Sequence, residues 1–192
     1  MWSLLVSTVV VALAEMGDKT QLLSFLLAAR LKRKGAICLG ILVATLANHF
    51  LAGYVGVFLS TLVAPEVLTW GIALAFLAFG VWVLKPDTFE QKRELSKQGV
   101  FLTTAIAFFL VEMGDKTQLA TIALAARYHT LITVVLGTTL GMMIADVPAV
   151  WLGETLARRM NIRLLRWVAA ALFFLLAILT ILASEKGTGY FL

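Results

Sequence analysis

Charge is scarce in this sequence: of its 192 residues only 14% are Asp, Glu, Lys or Arg, whereas 61% are hydrophobic. Soluble domains carry roughly 25% charged residues, so the composition excludes an ordinary water-soluble protein. Cysteine is nearly absent, and the single Cys38 excludes an internal disulfide and argues against a thiolate metal cluster within one chain. The sequence also contains no nucleotide-binding loop, so nothing in it indicates ATP or GTP as an energy source.

Long apolar stretches take up most of the chain, and the gaps between them are too short for a soluble domain of usual size. Most of these stretches reach the roughly 17 to 25 residues that cross a bilayer as a helix. The predicted fold class is therefore an all-α integral membrane protein with six transmembrane helices. The stretches are Trp2–Ala29, Gly35–Val63, Val67–Leu84, Gly99–Ala126, Leu131–Leu152 and Trp167–Ala183.

The formal net charge of +5 is explained by where the cations lie. Twelve of the 16 Lys and Arg residues fall in the first, third and fifth loops. Because cytoplasmic loops are enriched in Lys and Arg, these loops are predicted to face the cytoplasm and both termini the opposite side. The basicity therefore needs no nucleic-acid partner. The first stretch lacks a basic start and carries acidic residues at its centre, so we expect it to stay in the mature protein.

The sequence contains an internal repeat. A shift of 97 positions aligns residues 15–30 with 112–127, and 12 of these 16 positions are identical. The register continues without a gap through all three stretches of each half, which predicts a first repeat at 1–84, a cytoplasmic linker at 85–98 and a second repeat at 99–192. With three spans per half, the second copy must enter the membrane inverted, as in many secondary transporters.

The most similar part of the repeat is an acidic segment, Glu-Met-Gly-Asp-Lys-Thr-Gln, that occurs in both copies. Glu15 and Asp18 are three residues apart, as are Glu112 and Asp115, so each pair is predicted to project from one face of its helix. Ionisable side chains at the centre of a span each cost at least about 2.5 to 3.5 kcal/mol. These four carboxylates are therefore candidate ligands of an ion near the middle of the membrane.

The two helices that carry this segment are predicted to be kinked or broken. The first apolar stretch runs for 28 residues, or about 42 Å as a helix, against a hydrocarbon core of about 30 Å. Gly17 and Gly114 lie inside the two motifs, where glycine tolerates an unwound turn that exposes backbone carbonyl groups to a cation.

The surrounding donor atoms are almost all oxygens, which suit hard divalent ions such as Ca²⁺, Mg²⁺ and Mn²⁺. The four carboxylates exceed the two motif lysines by two charges, which one divalent cation or two protons would neutralise. The lysines either pair with carboxylates or extend toward the headgroups. Asn48 and His49 in the second stretch, and Asp146 in the fifth, are either a proton relay or helix-packing groups. These further candidate ligands or neighbours are Thr20, Thr117, Gln21, Gln118, Lys19, Lys116, Asn48, His49 and Asp146.

Two copies of Glu-x-Gly-Asp-Lys-Thr, each followed by Ala-Ala-Arg, resemble the Gdt-type family of divalent cation/proton antiporters, which includes Golgi calcium/manganese transporters and bacterial manganese exporters. The resemblance covers nearly the whole chain. It implies export of Mn²⁺ or Ca²⁺ from the cytoplasm in exchange for protons, with Glu15, Asp18, Glu112 and Asp115 as ligands and no cofactor besides the transported ion. The compact chain is more similar to the bacterial members, which favours the plasma membrane and Mn²⁺.

Three alternatives stay open from the sequence. A Ca²⁺/H⁺ antiporter would use the same oxygen ligands equally well, because selectivity depends on cavity size, ligand number and flexibility. An intramembrane hydrolase with paired acids would be an enzyme, but the repeat argues against a single asymmetric active site. A structural scaffold is opposed by the cost of buried charge in the membrane. The sequence does not indicate an oligomeric state.

Overall fold

The computed structural model describes residues 1–85, 99–152 and 161–185, and no strand occurs in these ranges. Of the predicted linker at 85–98, only Lys85 falls among them. The described ranges form the following helices: α1 (Trp2–Glu15), α2 (Lys19–Leu31), α3 (Lys34–Leu62), α4 (Pro65–Leu84), α5 (Val100–Glu112), α6 (Lys116–Tyr128), α7 (Leu131–Leu152) and α8 (Ile162–Glu185).

Both motif helices are broken at the acidic segment, which confirms the sequence prediction. The chain leaves α1 at Glu15 and resumes helical geometry at Lys19. Gly17 has φ +82° and Gly114 has φ +78°, a left-handed conformation in which a Cβ atom would approach the following carbonyl oxygen. Glycine is therefore the residue that allows the chain to turn at these two points.

Among the described residues, many large apolar side chains are exposed and many polar side chains are buried, which is the arrangement of an integral membrane protein. Helices α3, α4, α7 and α8 are long and apolar enough to cross a bilayer. Helices α1 and α5 have only 14 and 13 residues, fewer than the roughly 17 that a single span needs. Six spans therefore require α1 with α2, and α5 with α6, to act as two interrupted spans, and that count stays a prediction.

The first helix of each half packs against the long central helix of the other half: α1 lies along α7, and α5 lies along α3. Glycines permit this close approach. A Cβ atom on Gly137 would lie 2.9 Å from the Cβ of Ser7, and one on Gly40 would lie 2.7 Å from the Cβ of Thr104. Gly40 and Ser7 are the 97-residue equivalents of Gly137 and Thr104, so the same contact is made twice with the halves exchanged.

The last helix of each half, α4 or α8, packs against the other. Phe76 and Phe173 occupy equivalent positions and are both buried, with ring centroids 6.3 Å apart. These contacts join the two halves. The four motif acids are buried, between helices contributed by both halves.

Replacing Gly56 by alanine is expected to destabilise the protein. A Cβ atom at this position of α3 would lie 2.3 Å from the carbonyl oxygen of Ile122 in α6, and relieving such an overlap costs about 1 to 3 kcal/mol. Gly71→Ala is the matched control, because nothing lies within 4 Å of a Cβ atom there. Thermal unfolding in detergent should show a lower midpoint for Gly56→Ala only. Equal midpoints would contradict the close contact between α3 and α6.

Candidate ion-binding site

The acidic residues of each motif lie on the two sides of a helix break. Glu15 is the last residue of α1, and Asp18 immediately precedes α2; Glu112 and Asp115 have the same positions at α5 and α6. The prediction that each pair shares one helix face is therefore wrong, because the left-handed glycine between them redirects the chain. Each aspartate instead lies at the N-terminus of a helix, where the partial positive charge of the helix dipole favours an anion.

Three of the four acids come together. Single carboxylate oxygens of Glu15, Glu112 and Asp115 lie within 4.8 Å of one another, and these residues are 0%, 1% and 3% exposed. Like charges this close and this buried are costly unless a cation or protons offset them. The group therefore has the donor atoms, the spacing and the charge to hold a divalent cation, with ligands from both halves of the chain.

Ion pairs connect the two motifs in a crossed arrangement. The ammonium nitrogen of Lys19 lies 2.9 Å from Oδ1 of Asp115, and that of Lys116 lies 2.9 Å from Oδ1 of Asp18. The lysines therefore pair with carboxylates, which is the first of the two sequence interpretations. Asp18 is buried in the same region but is absent from the group of three carboxylates that meet within 4.8 Å.

The threonines and glutamines of the motifs support the carboxylates and the breaks. The hydroxyl of Thr20 donates a hydrogen bond to the carboxylate of Glu15, and Thr117 does the same for Glu112. The side-chain oxygen of Gln21 accepts a hydrogen bond from the Gly17 amide at 2.9 Å. Gln118 accepts the equivalent bond from the Gly114 amide at 2.7 Å. The backbone of each break is thus held by the residue four positions later.

The same glutamines bind the central helices. Nε2 of Gln21 donates to the carbonyl of Ala145 in α7 at 3.1 Å, and Nε2 of Gln118 donates to Oδ1 of Asn48 in α3 at 3.3 Å. Asn48 in turn donates to the carbonyl of Phe109. Ala145 and Asn48 are equivalent residues in the repeat, so each break is fastened to the corresponding point of the other half.

Two hydrogen bonds near the site could not be predicted from the motif sequence. The hydroxyl of Ser24 donates to Oδ1 of Asp146 at 2.9 Å, which joins α2 to α7. The guanidinium of Arg166 in α8 donates to the carbonyl oxygen of Gly17 at 3.4 Å, whereas its repeat equivalent Thr69 bonds within its own helix. His49, the equivalent of Asp146, is fully buried, and neither of its ring nitrogens has a hydrogen-bond partner among the described residues.

Comparison with known proteins agrees with the internal repeat. The sequence model of the family described as "Divalent cation/proton antiporter GDT1" matches this chain twice, over residues 3–91 and 100–188. The two matches fall on the two halves that the 97-residue shift defines. No solved structure matches the chain.

Three curated relatives are matched over 70% or more of their own length. A protein of Vibrio cholerae described as "Putative manganese exporter" is 46% identical over 178 residues, which is 92% of this chain and 89% of that protein. A GDT1-like protein of Synechocystis sp. is 27% identical, with 88% and 92% covered. GDT1-like protein 3 of Oryza sativa subsp. japonica is 28% identical, with 89% and 70% covered.

The twin acidic motif, the two family matches and the relatives matched over most of their length agree with one another. The resemblance inferred from the motif is thereby confirmed, and a hydrolase is excluded because the family consists of transporters. This chain belongs to the GDT1 family of divalent cation/proton antiporters.

Proposed function

We propose that this protein exports Mn²⁺ from the cytoplasm in exchange for protons, at a site formed by Glu15, Asp18, Glu112 and Asp115. The observation that carries the proposal is the meeting of Glu15, Glu112 and Asp115 oxygens within 4.8 Å in a buried position between the halves. Oxygen donors suit Mn²⁺, Ca²⁺ and Mg²⁺. The 46% identity to the Vibrio cholerae protein described as "Putative manganese exporter" favours Mn²⁺ among them.

Charge balance supports exchange for protons. The four motif carboxylates and the two motif lysines leave a formal surplus of two negative charges, which either one divalent cation or two protons would offset. Both ligands would then compete for the same oxygens, so binding of one releases the other. In a cycle of this kind the site opens to one side of the membrane to release metal and bind protons, and to the other side to release protons and bind metal.

The architecture that we propose for this cycle is two inverted repeats of three spans each. It is supported by the odd number of apolar stretches per half, and by equivalent glycine contacts that join α1 to α7 and α5 to α3. Broken helices at an interface between inverted repeats are a recurrent way of building ion sites in transporters. If the two repeats exchange conformations, the site then opens to the opposite side of the membrane.

The proposed orientation has both termini outside the cytoplasm in a bacterial plasma membrane, because the Lys and Arg residues concentrate in the first, third and fifth loops. Single cysteines at Thr61 and Ser96, introduced after Cys38→Ala removes the native thiol, should label from opposite sides of intact cells. Thr61 is exposed at the end of α3, and Ser96 lies outside the described residues. Labelling of both positions from the same side would contradict the orientation.

The proposed transport is tested by reconstituting the purified protein in liposomes and measuring uptake of Mn²⁺, Ca²⁺ and Mg²⁺ with and without a pH gradient. We expect Mn²⁺ flux that is driven by an opposing proton gradient, together with proton movement in the reverse direction. Flux of Ca²⁺ in preference to Mn²⁺ would identify the protein as a Ca²⁺/H⁺ antiporter. Metal flux without proton movement would contradict the exchange.

A further inference from the structure

The two motif aspartates are equivalent in the repeat but differ in their surroundings. Asp115 has one oxygen near Glu15 and Glu112, and its Oδ1 lies 2.9 Å from Lys19. Asp18 forms the matching ion pair with Lys116 at 2.9 Å, yet it is not among the three acids that converge. Asp115 thus takes part in both an ion pair and the carboxylate group, whereas Asp18 takes part in an ion pair and lies outside that group.

The two lysine side chains also differ in how far they are exposed. The side chain of Lys19 is 25% exposed and that of Lys116 is 5% exposed. The packing of the helices agrees, because α4 lies along α6, which begins at Lys116. Among the described residues, α8 makes no comparable packing with α2, which begins at Lys19. Lys19 therefore has space to move its ammonium group away from Asp115, whereas Lys116 is enclosed.

We infer that Lys19 and Lys116 are positioning residues that alternately keep one aspartate away from the cargo, an inference that rests on the proposed Mn²⁺ transport. In the described conformation, the enclosed Lys116 keeps Asp18 paired. Asp115 is free to bind the ion with Glu15 and Glu112 once Lys19 turns away from it. In the opposite-facing conformation the roles exchange: Lys19 keeps Asp115 paired, and Asp18 completes the group of three carboxylates.

The arrangement has a physical advantage for transport. Four ionised carboxylates around one divalent cation would hold it too tightly to release, because each adds a further attraction in a medium of low dielectric constant. An ion pair that removes one carboxylate lowers the affinity without burying an uncompensated charge. Because each lysine belongs to the half opposite its aspartate, a movement of the halves can transfer the restraint from one motif to the other.

The first experiment replaces Lys116 by glutamine. Asp18 would then lose its ion pair with this lysine, so Mn²⁺ affinity in detergent at constant pH should rise by about tenfold or more. In liposomes, exchange of Mn²⁺ for Mn²⁺ should continue, while net Mn²⁺ efflux against a metal-free trans side should fall by a similar factor. Lys85→Gln, at an exposed position after α4, is the control and should change neither quantity.

A double variant separates this role from that of a structural ion pair. Asp18→Asn with Lys116→Gln removes both charges of the ion pair together, so a merely structural pair predicts recovery of net transport. Our inference predicts near wild-type Mn²⁺ affinity, because Asp18 is not a ligand in this conformation, but no recovery of net transport. This variant, together with Lys116→Arg, which should keep measurable net efflux, also decides the question if Lys116→Gln does not fold.

Two results would overturn the inference: wild-type net efflux in Lys116→Gln, or recovered net efflux in the double variant. Either result leaves the proposed function intact as long as the wild-type protein moves Mn²⁺. Absence of Mn²⁺ flux in the wild-type protein itself would instead contradict the proposed function. The two failures are therefore distinguished within one set of measurements.

Discussion

Glu112→Gln is expected to lower Mn²⁺ transport by at least about a hundredfold. The loss of groups that only support a metal ligand already costs about 10 to 100-fold in metal affinity, and Glu112 is one of the three acids whose oxygens converge. Glutamine has nearly the same shape, and its amide oxygen can still accept the hydrogen bond from Thr117. The fold should therefore persist while the charge that balances the cation is lost.

The measurement is initial Mn²⁺ flux into liposomes at matched protein content, with thermal unfolding in detergent as the check on folding. Glu66→Gln is the matched control, because Glu66 is an exposed residue in the first turn of α4, and it should transport as the wild type does. Glu15→Gln should behave as Glu112→Gln does, since the two glutamates are equivalent. Wild-type flux in either site variant would contradict the assignment of the site.

Lowering the pH is expected to weaken Mn²⁺ binding steeply. Protons and Mn²⁺ compete for the same carboxylates, so metal affinity falls as pH falls and metal binding releases protons. If two protons are exchanged for each cation, the affinity changes by at most about a hundredfold per pH unit. The direction follows from the sign of the competition: the deprotonated carboxylates bind the cation, and their population increases with pH.

Isothermal titration with Mn²⁺ in detergent between about pH 5.5 and 8 measures this dependence. Repeating the titration in buffers of different ionisation enthalpy gives the number of protons released. The Glu112→Gln variant should show a smaller pH dependence, because one of the competing carboxylates is gone. Affinity that does not change over this range would show that protons are not the competing ion, and another coupling ion such as Na⁺ would then have to be tested.

Local features of the sequence were sufficient to predict the helix breaks. A stretch too long for one straight span, with Gly17 at the centre of an acidic segment, indicates a break whatever the rest of the fold does. The repeat made the convergence of all four motif acids an expectation, because equivalent segments of inverted halves meet near a common axis, and three of the four meet within 4.8 Å. The candidate residues themselves were accessible because buried charge is so costly in a membrane.

The exact grouping of the acids was not accessible in this way. Three-residue spacing predicts a shared face only along a continuous helix, and the left-handed Gly17 and Gly114 remove that condition. The exclusion of Asp18 from the group of three depends on its contact with Lys116. The contact of Arg166 with the Gly17 carbonyl depends likewise on packing between distant helices. Because the equivalent residue in the first half is Thr69, the repeat does not mark this position.

The exchange of partners between the halves has a consequence for biogenesis. Because α1 lies along α7 and α3 along α5, residues 1–84 enter the membrane before their packing partners have been synthesised. During this interval the membrane contains Glu15, Asp18 and Lys19 without the groups that they contact in the finished protein. Each such side chain costs about 2.5 to 3.5 kcal/mol at the bilayer centre. The nascent first half is therefore the stage at which insertion machinery or chaperones would be most needed, and at which quality control could degrade an incomplete chain.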